Sequence, residues 1–349
     1  MPETVGDIGE FGLIRRIESL LNKEGVRSER VTVGIGDDTA SFLPRSGYEV
    51  LVTCDCMVEG RHYLPGKIRP YDLGRRAMAL NISDIGAMGG RPLYALVSLG
   101  LKPEIFVRDV EEMYRGFLVE LNPLGASIIG GNLTTSGNGM FVDITLLGEV
   151  EQGKAVRRSG ARPGDAILVT GYPGQAAAGL QLLLHTADDS KILEHPLVEI
   201  YNTPSHRAPL GEAIAKAGCV TAMIDTSDGF LGDLRHICEE SGVGAELFKE
   251  KLPVSEALHE AALMLHRDPY DFFLGDSDDY ELVITCRPQD VALLRSVASR
   301  CCPVPLTEVG RITHGALEIT LLLPGGERRP VKPSGWDHFR LSKNSGSGV

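Results

Sequence analysis

Carboxylates occur in this sequence at five places where a strand should end or a helix should face the core. They are Asp37 with Asp38, Asp55, Asp84, Asp225 with Asp228, and Asp278 with Asp279. Each place also has an ordinary structural explanation, because Asp commonly caps helices and forms turns. Gathered in one pocket, these groups would repel one another strongly unless divalent cations neutralised them. Oxygen ligands without a His or Cys set favour Mg²⁺ over zinc, and phosphoryl transfer uses such cations to stabilise negative charge.

The stretch from Ile224 to Gly229 (Ile-Asp-Thr-Ser-Asp-Gly) is the centre of this arrangement. A mostly apolar run from Val220 to Ile224 predicts a short buried strand, and the apolar residues from Phe230 to Cys238 have helical spacing. Asp225 then lies at the carboxyl end of a strand and Asp228 at the amino end of a helix. Open α/β sheets bind ligands at such positions. Because the polar residues of this stretch are also common N-cap residues, capping alone remains the alternative.

The strand predicted over residues 48–60 separates its side chains into two faces by simple alternation. One face carries Leu51, Thr53, Asp55 and Met57. The other carries Val50, Val52, Cys54 and Cys56. We expect the second face to be buried, which makes the two cysteines small core residues rather than a C-x-C metal or redox site. Asp55 lies in an otherwise apolar strand, so we expect a cation near its carboxylate.

Two further segments carry polar residues at unusual places. The helix predicted over residues 72–88 has Asp84 one turn beyond Leu80, pointing toward the core. A carboxylate on a core face is a better ligand candidate than one on the surface. The strand over residues 128–133 contains Gly130, Gly131 and Asn132, where the backbone could approach a ligand closely.

Composition excludes several classes of protein. The 349 residues are 43% hydrophobic and 23% charged, which is enough for two globular domains. A formal charge of −12 argues against nucleic acid or an anionic membrane as the main partner. Seven cysteines without a repeating framework indicate a reducing compartment, and we expect a cytoplasmic protein. The sequence shows neither an apolar run of about 18 residues nor a signal-peptide core.

Strands and helices alternate in both halves, which predicts an α/β fold. The polar, turn-rich stretch from 151 to 165 is the predicted boundary. It gives an N-terminal domain over 1–150, a C-terminal α/β domain over 151–341 and a disordered Ser/Gly-rich tail over 342–349. Neither G-x-G-x-x-G nor G-x-x-x-x-G-K-[ST] follows the strand at 166–170, so a Rossmann site or a P-loop is not supported.

Six short motifs form an ordered set that spans almost the whole chain. They are Gly34 to Asp38, Asn81 to Asp84 with Met88-Gly89, Arg158 to Asp165, Ile224 to Gly229, Asp279 to Leu282, and Gly335 to Phe339. In this order the chain resembles thiamine-monophosphate kinases. The resemblance implies the fold of the aminoimidazole ribonucleotide synthetase superfamily, with two α/β domains of mixed α+β sheets and ATP in the cleft between them. It also implies a homodimer paired through the N-terminal sheets.

The resemblance implies a role for each matching position. Several Mg²⁺ ions would be held by Asp38, Thr53, Asp55, Asp84, Asn132, Asp225 and Asp228. ATP would contact Gly131, Asn132, Arg158, Ser227 and Tyr114. Thiamine monophosphate would contact His62, Asp278 and Trp336, the last through an aromatic face suited to a cationic ring. A phosphate oxygen of thiamine monophosphate would attack the γ-phosphorus of ATP in line, with metals and positioning in place of a catalytic side chain.

Three positions depart from the family pattern without removing the main carboxylates. Cys54 lies where the family often has Thr, Asn132 where it often has Asp, and Asp278 where it often has Glu. Two alternative functions stay open: another ATP-using enzyme of the superfamily, such as selenophosphate synthetase, the hydrogenase-maturation dehydratase or the purine synthetase, and a non-catalytic nucleotide-binding regulator. The first alternative is weakened because the chain has no cysteine before Cys54 and ends in Ser-Gly-Ser-Gly-Val instead of a carrier cysteine.

Overall fold

The computed structural model describes residues 2–185, 192, 194–315 and 317–332. The first domain comprises α1 (Val5–Glu24), β1 (Val31–Val33), β2 (Ser41–Phe42), β3 (Tyr48–Val58), α2 (Pro70–Ala87), β4 (Arg91–Leu101), α3 (Val107–Leu121), β5 (Ser127–Thr135) and β6 (Phe141–Glu151). Its main sheet has the order β3-β6-β4-β5, with β4 and β5 parallel and the other pairs antiparallel. The predicted strand over 48–60 and helix over 72–88 therefore form with small shifts at their ends.

The second domain is built on a seven-stranded sheet. Its elements are β7 (Ala166–Thr170), α4 (Gln175–His185), α5 (Pro196–Asn202), α6 (Ala208–Lys216), β8 (Val220–Asp225), α7 (Phe230–Ser241), β9 (Gly244–Phe248), α8 (Glu256–Met264), α9 (Pro269–Phe273), β10 (Leu282–Cys286), α10 (Val291–Cys301), β11 (Leu306–Thr313), β12 (Ile319–Leu322) and β13 (Arg328–Pro330). The order is β13-β12-β9-β11-β7-β10-β8, with β12 parallel to β9 and the other pairs antiparallel. Both sheets are mixed, which confirms the predicted fold class.

Described residues 152–165 form loops between the two domains. The limits predicted from the sequence, 1–150 and 151–341, stay predictions. The tail predicted over 342–349 lies outside the described residues. Within the part of the chain that the structure describes, no helix combines the length and apolar character needed to cross a membrane.

The core of the first domain lies on one face of its sheet. Met57 of β3 and Val142, Ile144 and Leu146 of β6 point to that face, where side chains of α1, α2 and α3 cover them. Asp55 shares the Met57 face by alternation, and its backbone N–H donates to Asn81 Oδ1 of α2 at 3.2 Å. The polar residues of β3 therefore face the helix layer.

The prediction that Cys54 and Cys56 are buried core residues is wrong. The sequence correctly places them on one face with Val50 and Val52, but that face is open: Val52 is 64% exposed and both cysteines are exposed. The reason is that β3 is apolar on both faces, so hydrophobicity alone cannot show which one the helices cover. An apolar strip on the edge strand is thus left uncovered in the single chain.

The two domains meet where α2 packs against α6. A Cβ atom on Gly211 of α6 would lie 2.1 Å from the carbonyl oxygen of Gly86, and one on Gly86 would lie 2.4 Å from Cα of Ala208. Real Cβ atoms essentially never approach so closely, so both positions need glycine for the backbones to touch. This contact brings the end of α2, with Asp84, beside the end of β8, with Asp225.

We predict that Gly211→Ala lowers the free energy of unfolding by about 1–3 kcal/mol, because the methyl group forces α2 and α6 apart. This loss should outweigh the helix-propensity gain of about 1 kcal/mol. Denaturant unfolding followed by circular dichroism measures it. Gly137→Ala is the matched control, since a methyl group there would meet no described atom within 4 Å. Equal stability of the two variants would show that the glycine contact is not required.

Candidate active site

A cavity of about 850 Å³ lies between the two domains. Its lining includes the sequence-predicted residues Asp55, His62, Asp84, Arg158, Ser227, Asp228 and Asp278. A second cavity of about 330 Å³ shares Asp84 and Arg158 with the first and adds Thr53 and Asp225. The structure therefore gathers residues from both domains, from Thr53 to Asp278, into one connected region.

Helix α2 organises this region through three neighbouring side chains. Asn81 accepts the hydrogen bond from the Asp55 backbone, and Asp84 accepts one from Thr53 Oγ1, so both hold β3. Ser83 Oγ donates to Asp225 Oδ2 at 2.6 Å, which links α2 to β8 of the second domain. Asn and Ser are poor interior helix residues because they compete for the backbone, and here their side chains are used to fix two strands.

Burial and mutual repulsion raise the pKa of carboxyl groups in this region. Burial is the main cause that raises the pKa of Asp55 to about 7, and the charge of Asp84 is the second largest cause. The pKa of Asp225 also rises to about 7 from burial and Asp84, against the opposing effects of Ser83 and Arg158. Such groups favour a cation that would stabilise their ionised form.

The donor set fits Mg²⁺. Asp55, Asp84, Asp225 and Asp228 supply carboxylate oxygens and Thr53 supplies a hydroxyl, all of them hard ligands. Among the described residues, Arg158 lines both cavities, Arg61, Arg76 and Arg267 also line the larger one, and Arg157 lines the smaller one. Because burial and mutual repulsion raise the pKa of Asp55 and Asp225 despite these arginines, a divalent cation would stabilise the cluster.

Asp233 is a buried carboxylate next to the site residue Asp228 that sequence analysis missed. It lies in the first turn of α7, is buried, and its Oδ2 accepts a hydrogen bond from the Asp228 backbone at 3.2 Å. Burial, with the charges of Asp225 and Asp228, raises its pKa to about 8. Ligand atoms of Asp228, Asp233 and His236 all lie within 4.8 Å of one another. The available signal was an Asp adjacent to the apolar stripe predicted from Phe230 onward.

Other predicted residues lie elsewhere. Among the described residues, Asp38, Tyr114, Gly131 and Asn132 belong to neither cavity lining. Asp38 lies in the exposed loop after β1, and Tyr114 is buried in the core of the first domain against Phe117. Trp336 lies outside the described residues.

Gly131 and Asn132 are exposed on the edge strand β5. Strand register places Asn132 beside Ser98, Asp143 and Cys56 in one row across the open face of the sheet. Three strand spacings, about 14 Å, separate Asn132 from Cys56, which lines the larger cavity. The row therefore runs from Asn132 on β5 to Cys56 at the edge of the larger cavity.

Models of known families match both domains. The model for the N-terminal domain of AIR synthase related proteins matches residues 36–150, and the model for the C-terminal domain matches residues 162–321. The fold and the acidic cavity thus define a two-domain protein of the AIR synthase-related class.

Similarity to individual proteins identifies the family within this class. Thiamine-monophosphate kinase of Aquifex aeolicus is 33% identical over 334 residues, covering 95% of this chain and 99% of that protein. The crystal structure of thiamine-monophosphate kinase from Stenotrophomonas maltophilia K279a has a TM-score of 0.79 and 32% identity, covering 91% of this chain and 98% of that one. The structure of AaThiL complexed with AMPPCP and TMP has a TM-score of 0.73 and 33% identity, covering 95% and 98%. The chain belongs to the thiamine-monophosphate kinase family, which confirms the resemblance seen in the sequence.

We predict that the metal-free protein loses stability as the pH rises from about 4 to about 8. Over this range the folded state keeps protons on Asp55, Asp225 and Asp233 that the unfolded chain has lost, since an unfolded Asp has a pKa near 3.9. The folded state therefore binds more protons, and stability falls with increasing pH. Thermal unfolding in chelator at pH 5 and pH 8 measures the difference.

Asp233→Asn should reduce this pH dependence, and saturating Mg²⁺ should reduce it in the unmodified protein because bound cation favours the ionised carboxylates. Glu104→Gln, at an exposed position, is the control and should leave it unchanged. If Asp233→Asn and the control showed the same dependence as the unmodified chain, Asp233 would not be one of the groups responsible.

Proposed function

We propose that this protein transfers the γ-phosphoryl group of ATP to the phosphate of thiamine monophosphate, giving thiamine diphosphate and ADP. The observation that carries the proposal is the convergence of Asp55, Asp84, Asp225 and Asp228 on one region between the domains. Membership of the thiamine-monophosphate kinase family supports the choice of substrates, because the related AaThiL structure contains AMPPCP and TMP.

In the proposed site, Mg²⁺ would be held by Asp55, Asp84, Asp225 and Asp228 with the Thr53 hydroxyl. Bound Mg²⁺ would offset the negative charge of the phosphates and of the transition state. The proposal uses only residues that line the two cavities, so Asp38, Tyr114, Gly131 and Asn132 are not part of it.

Arg158 and Ser227 would contact the phosphates. Arg158 lines both cavities and offers a planar fork of donors that matches phosphate oxygens. Ser227 precedes α7, so a phosphate there would also meet the positive end of a 12-residue helix. These contacts would align the two phosphates for in-line attack, a reaction that depends mainly on positioning and charge stabilisation.

His62 and Asp278 would contact the thiamine part of the substrate. The backbone N–H of Val58 donates to His62 Nδ1 at 3.0 Å, so the proton of a neutral His62 ring resides on Nε2. Asp278 lies in the loop before β10 and lines the same cavity. A hydrogen-bond donor and a carboxylate are thereby available to a cationic ring system.

The direct test is incubation of the purified protein with ATP and Mg²⁺, with and without thiamine monophosphate, followed by chromatography. Equal amounts of thiamine diphosphate and ADP, abolished by a chelator, are the expected result. ADP without thiamine diphosphate would indicate a different acceptor within the AIR synthase-related class. No ATP turnover with any acceptor would favour a nucleotide-binding regulator.

We predict that Asp225→Asn lowers turnover by more than about a hundredfold, because even residues that merely support metal ligands cost ten- to hundredfold when removed. Folding should survive, since Asn keeps the bond from Ser83 and relieves a buried charge; the melting temperature in chelator should be equal or higher. Asp84→Asn should behave alike, and Glu104→Gln should retain activity. Normal turnover in both Asp variants would refute the metal assignment.

We also propose that two chains pair through the open face of the first-domain sheet. Val50 and Val52 are 47% and 64% exposed on the edge strand β3, beside the exposed Cys54 and Cys56. An uncovered apolar strip on an edge strand favours association, and a second copy offers the same strip under two-fold symmetry.

We predict that Val52→Asp converts the dimer into monomers, because a charge on each chain would be buried opposite its copy. Light scattering coupled to size exclusion measures the mass. Val119→Asp on α3, where the valine is 42% exposed, is the matched control and should leave the dimer intact. A dimer that persists in Val52→Asp, or a monomeric unmodified protein, would contradict this interface.

A further inference from the structure

Arg76 is a buried cation that the proposed reaction does not yet use. It lies on α2 of the first domain, and its side chain is 3% exposed. Its guanidinium reaches into the second domain, where Nη1 donates to the Tyr201 carbonyl and Nη2 pairs with Asp278 Oδ2. The guanidinium carbon lies 4.2 Å from the centre of the Tyr201 ring. One side chain therefore joins α2, α5 and the loop before β10.

The burial of Arg76 is costly, because a buried charge needs a partner and filled hydrogen bonds. Its Nε has no hydrogen-bond acceptor among the described residues. A Met at this position would avoid both costs, whereas the arginine provides a fixed fork of donors. What the arginine provides here, and a Met could not, is a hydrogen-bonded partner that orients the Asp278 carboxylate.

The backbone around Asp278 is fixed independently by the second domain. Asp279 accepts hydrogen bonds from the backbone of Gly174 at 2.6 Å and of Ala176 at 2.8 Å. Tyr280 has a left-handed φ of 55°, uncommon outside glycine, and its N–H donates to the Thr226 carbonyl at 2.9 Å. With the backbone held in this way, the pairing with Arg76 Nη2 sets the direction of the Asp278 side chain.

Asp278 remains accessible despite this pairing. Its side chain is 30% exposed and lines the larger cavity. Leu180, Tyr201 and Phe272 line the same cavity and provide apolar and aromatic surface, while Asp55, Asp84 and Asp228 form its acidic part. A molecule with a metal-bound phosphate and a flat ring that carries N–H donors or positive charge would match both parts.

We propose that Arg76 is a positioning residue for substrate recognition: from the first domain it holds the Asp278 carboxylate toward the cavity, where Asp278 binds the cationic, amine-bearing ring part of the phosphorylated substrate. The inference rests on the proposed function and adds to it a residue that acts through Asp278 and not on the phosphates. It ties recognition of the acceptor to the contact between the domains.

Steady-state kinetics of Arg76→Gln with thiamine monophosphate and ATP varied separately tests this role. The KM for thiamine monophosphate should rise about ten- to hundredfold, the loss expected for one hydrogen bond between charged groups. The KM for ATP should change by less than about threefold. Arg76→Lys, which keeps the charge without the planar fork, should recover part of the lost affinity.

Arg75→Gln is the matched control. Arg75 is the preceding residue of α2 and pairs with Glu120 of α3 at 2.7 Å, so its variant should leave both KM values unchanged. The double variant Arg76→Gln with Asp278→Asn should be no weaker for thiamine monophosphate than the worse single variant, because both changes remove the same contact.

Each outcome separates the possible explanations. If the unmodified protein forms thiamine diphosphate and the Arg76 variants keep their KM for thiamine monophosphate, the inference is wrong and the proposed function stands. An equal rise of both KM values with a lower melting temperature would reduce Arg76 to a structural contact between domains. If Arg76→Gln does not fold, Arg76→Lys gives the same comparison. If the unmodified protein forms no thiamine diphosphate, the proposed function itself fails.

Discussion

Repulsion between buried carboxylates is the constraint on which the rest of this structure depends. Asp55 comes from β3, Asp84 from α2 and Asp225 from β8, and the charge of Asp84 disfavours ionisation of the other two. Such a cluster would separate if its parts were free to move apart. The fold prevents this by burying the cluster between two domains that are joined through the same helix. The structure thus holds together a cluster of carboxylates whose hard oxygen ligands fit divalent cations.

Helix α2 joins the two domains through small and polar residues, at positions where large apolar residues are usual. Gly86 lets the backbone of α6 approach to contact, Ser83 bonds to Asp225, and Asn81 bonds to the backbone of β3. Each of these residues has low intrinsic helix propensity, so local stability is given up for placement. The helix remains stable because tertiary packing, with thirteen of its residues buried, replaces what propensity does not supply.

Sequence reasoning identifies the carboxylates because each one interrupts an apolar pattern. Asp55 lies in an apolar strand, Asp84 on a core-facing helix position and Asp225 at a strand end, and all three line the cavities. The prediction that Cys54 and Cys56 are buried is wrong because β3 is apolar on both faces. Which face is covered depends on where the helices pack, and the strand's own sequence does not show this. The pairing of Arg76 with Asp278 joins positions 202 residues apart, and local patterns contain no information on such a contact. The placement of Tyr114 in the core is set in the same way by the packing of α3.

The spacing along α2 has a further consequence for the size of the ligand. Arg76, Leu80 and Asp84 follow one another at intervals of one helical turn, and all three line the larger cavity. Eight residues of α helix correspond to about 12 Å, a length that hydrogen bonds along the backbone keep constant. In the proposed function, α2 therefore fixes the distance between its Arg76 end, which holds Asp278, and its Asp84 end, which lies among the other carboxylates. A substrate that contacts both ends would be selected by its length as well as by the charge at its two ends.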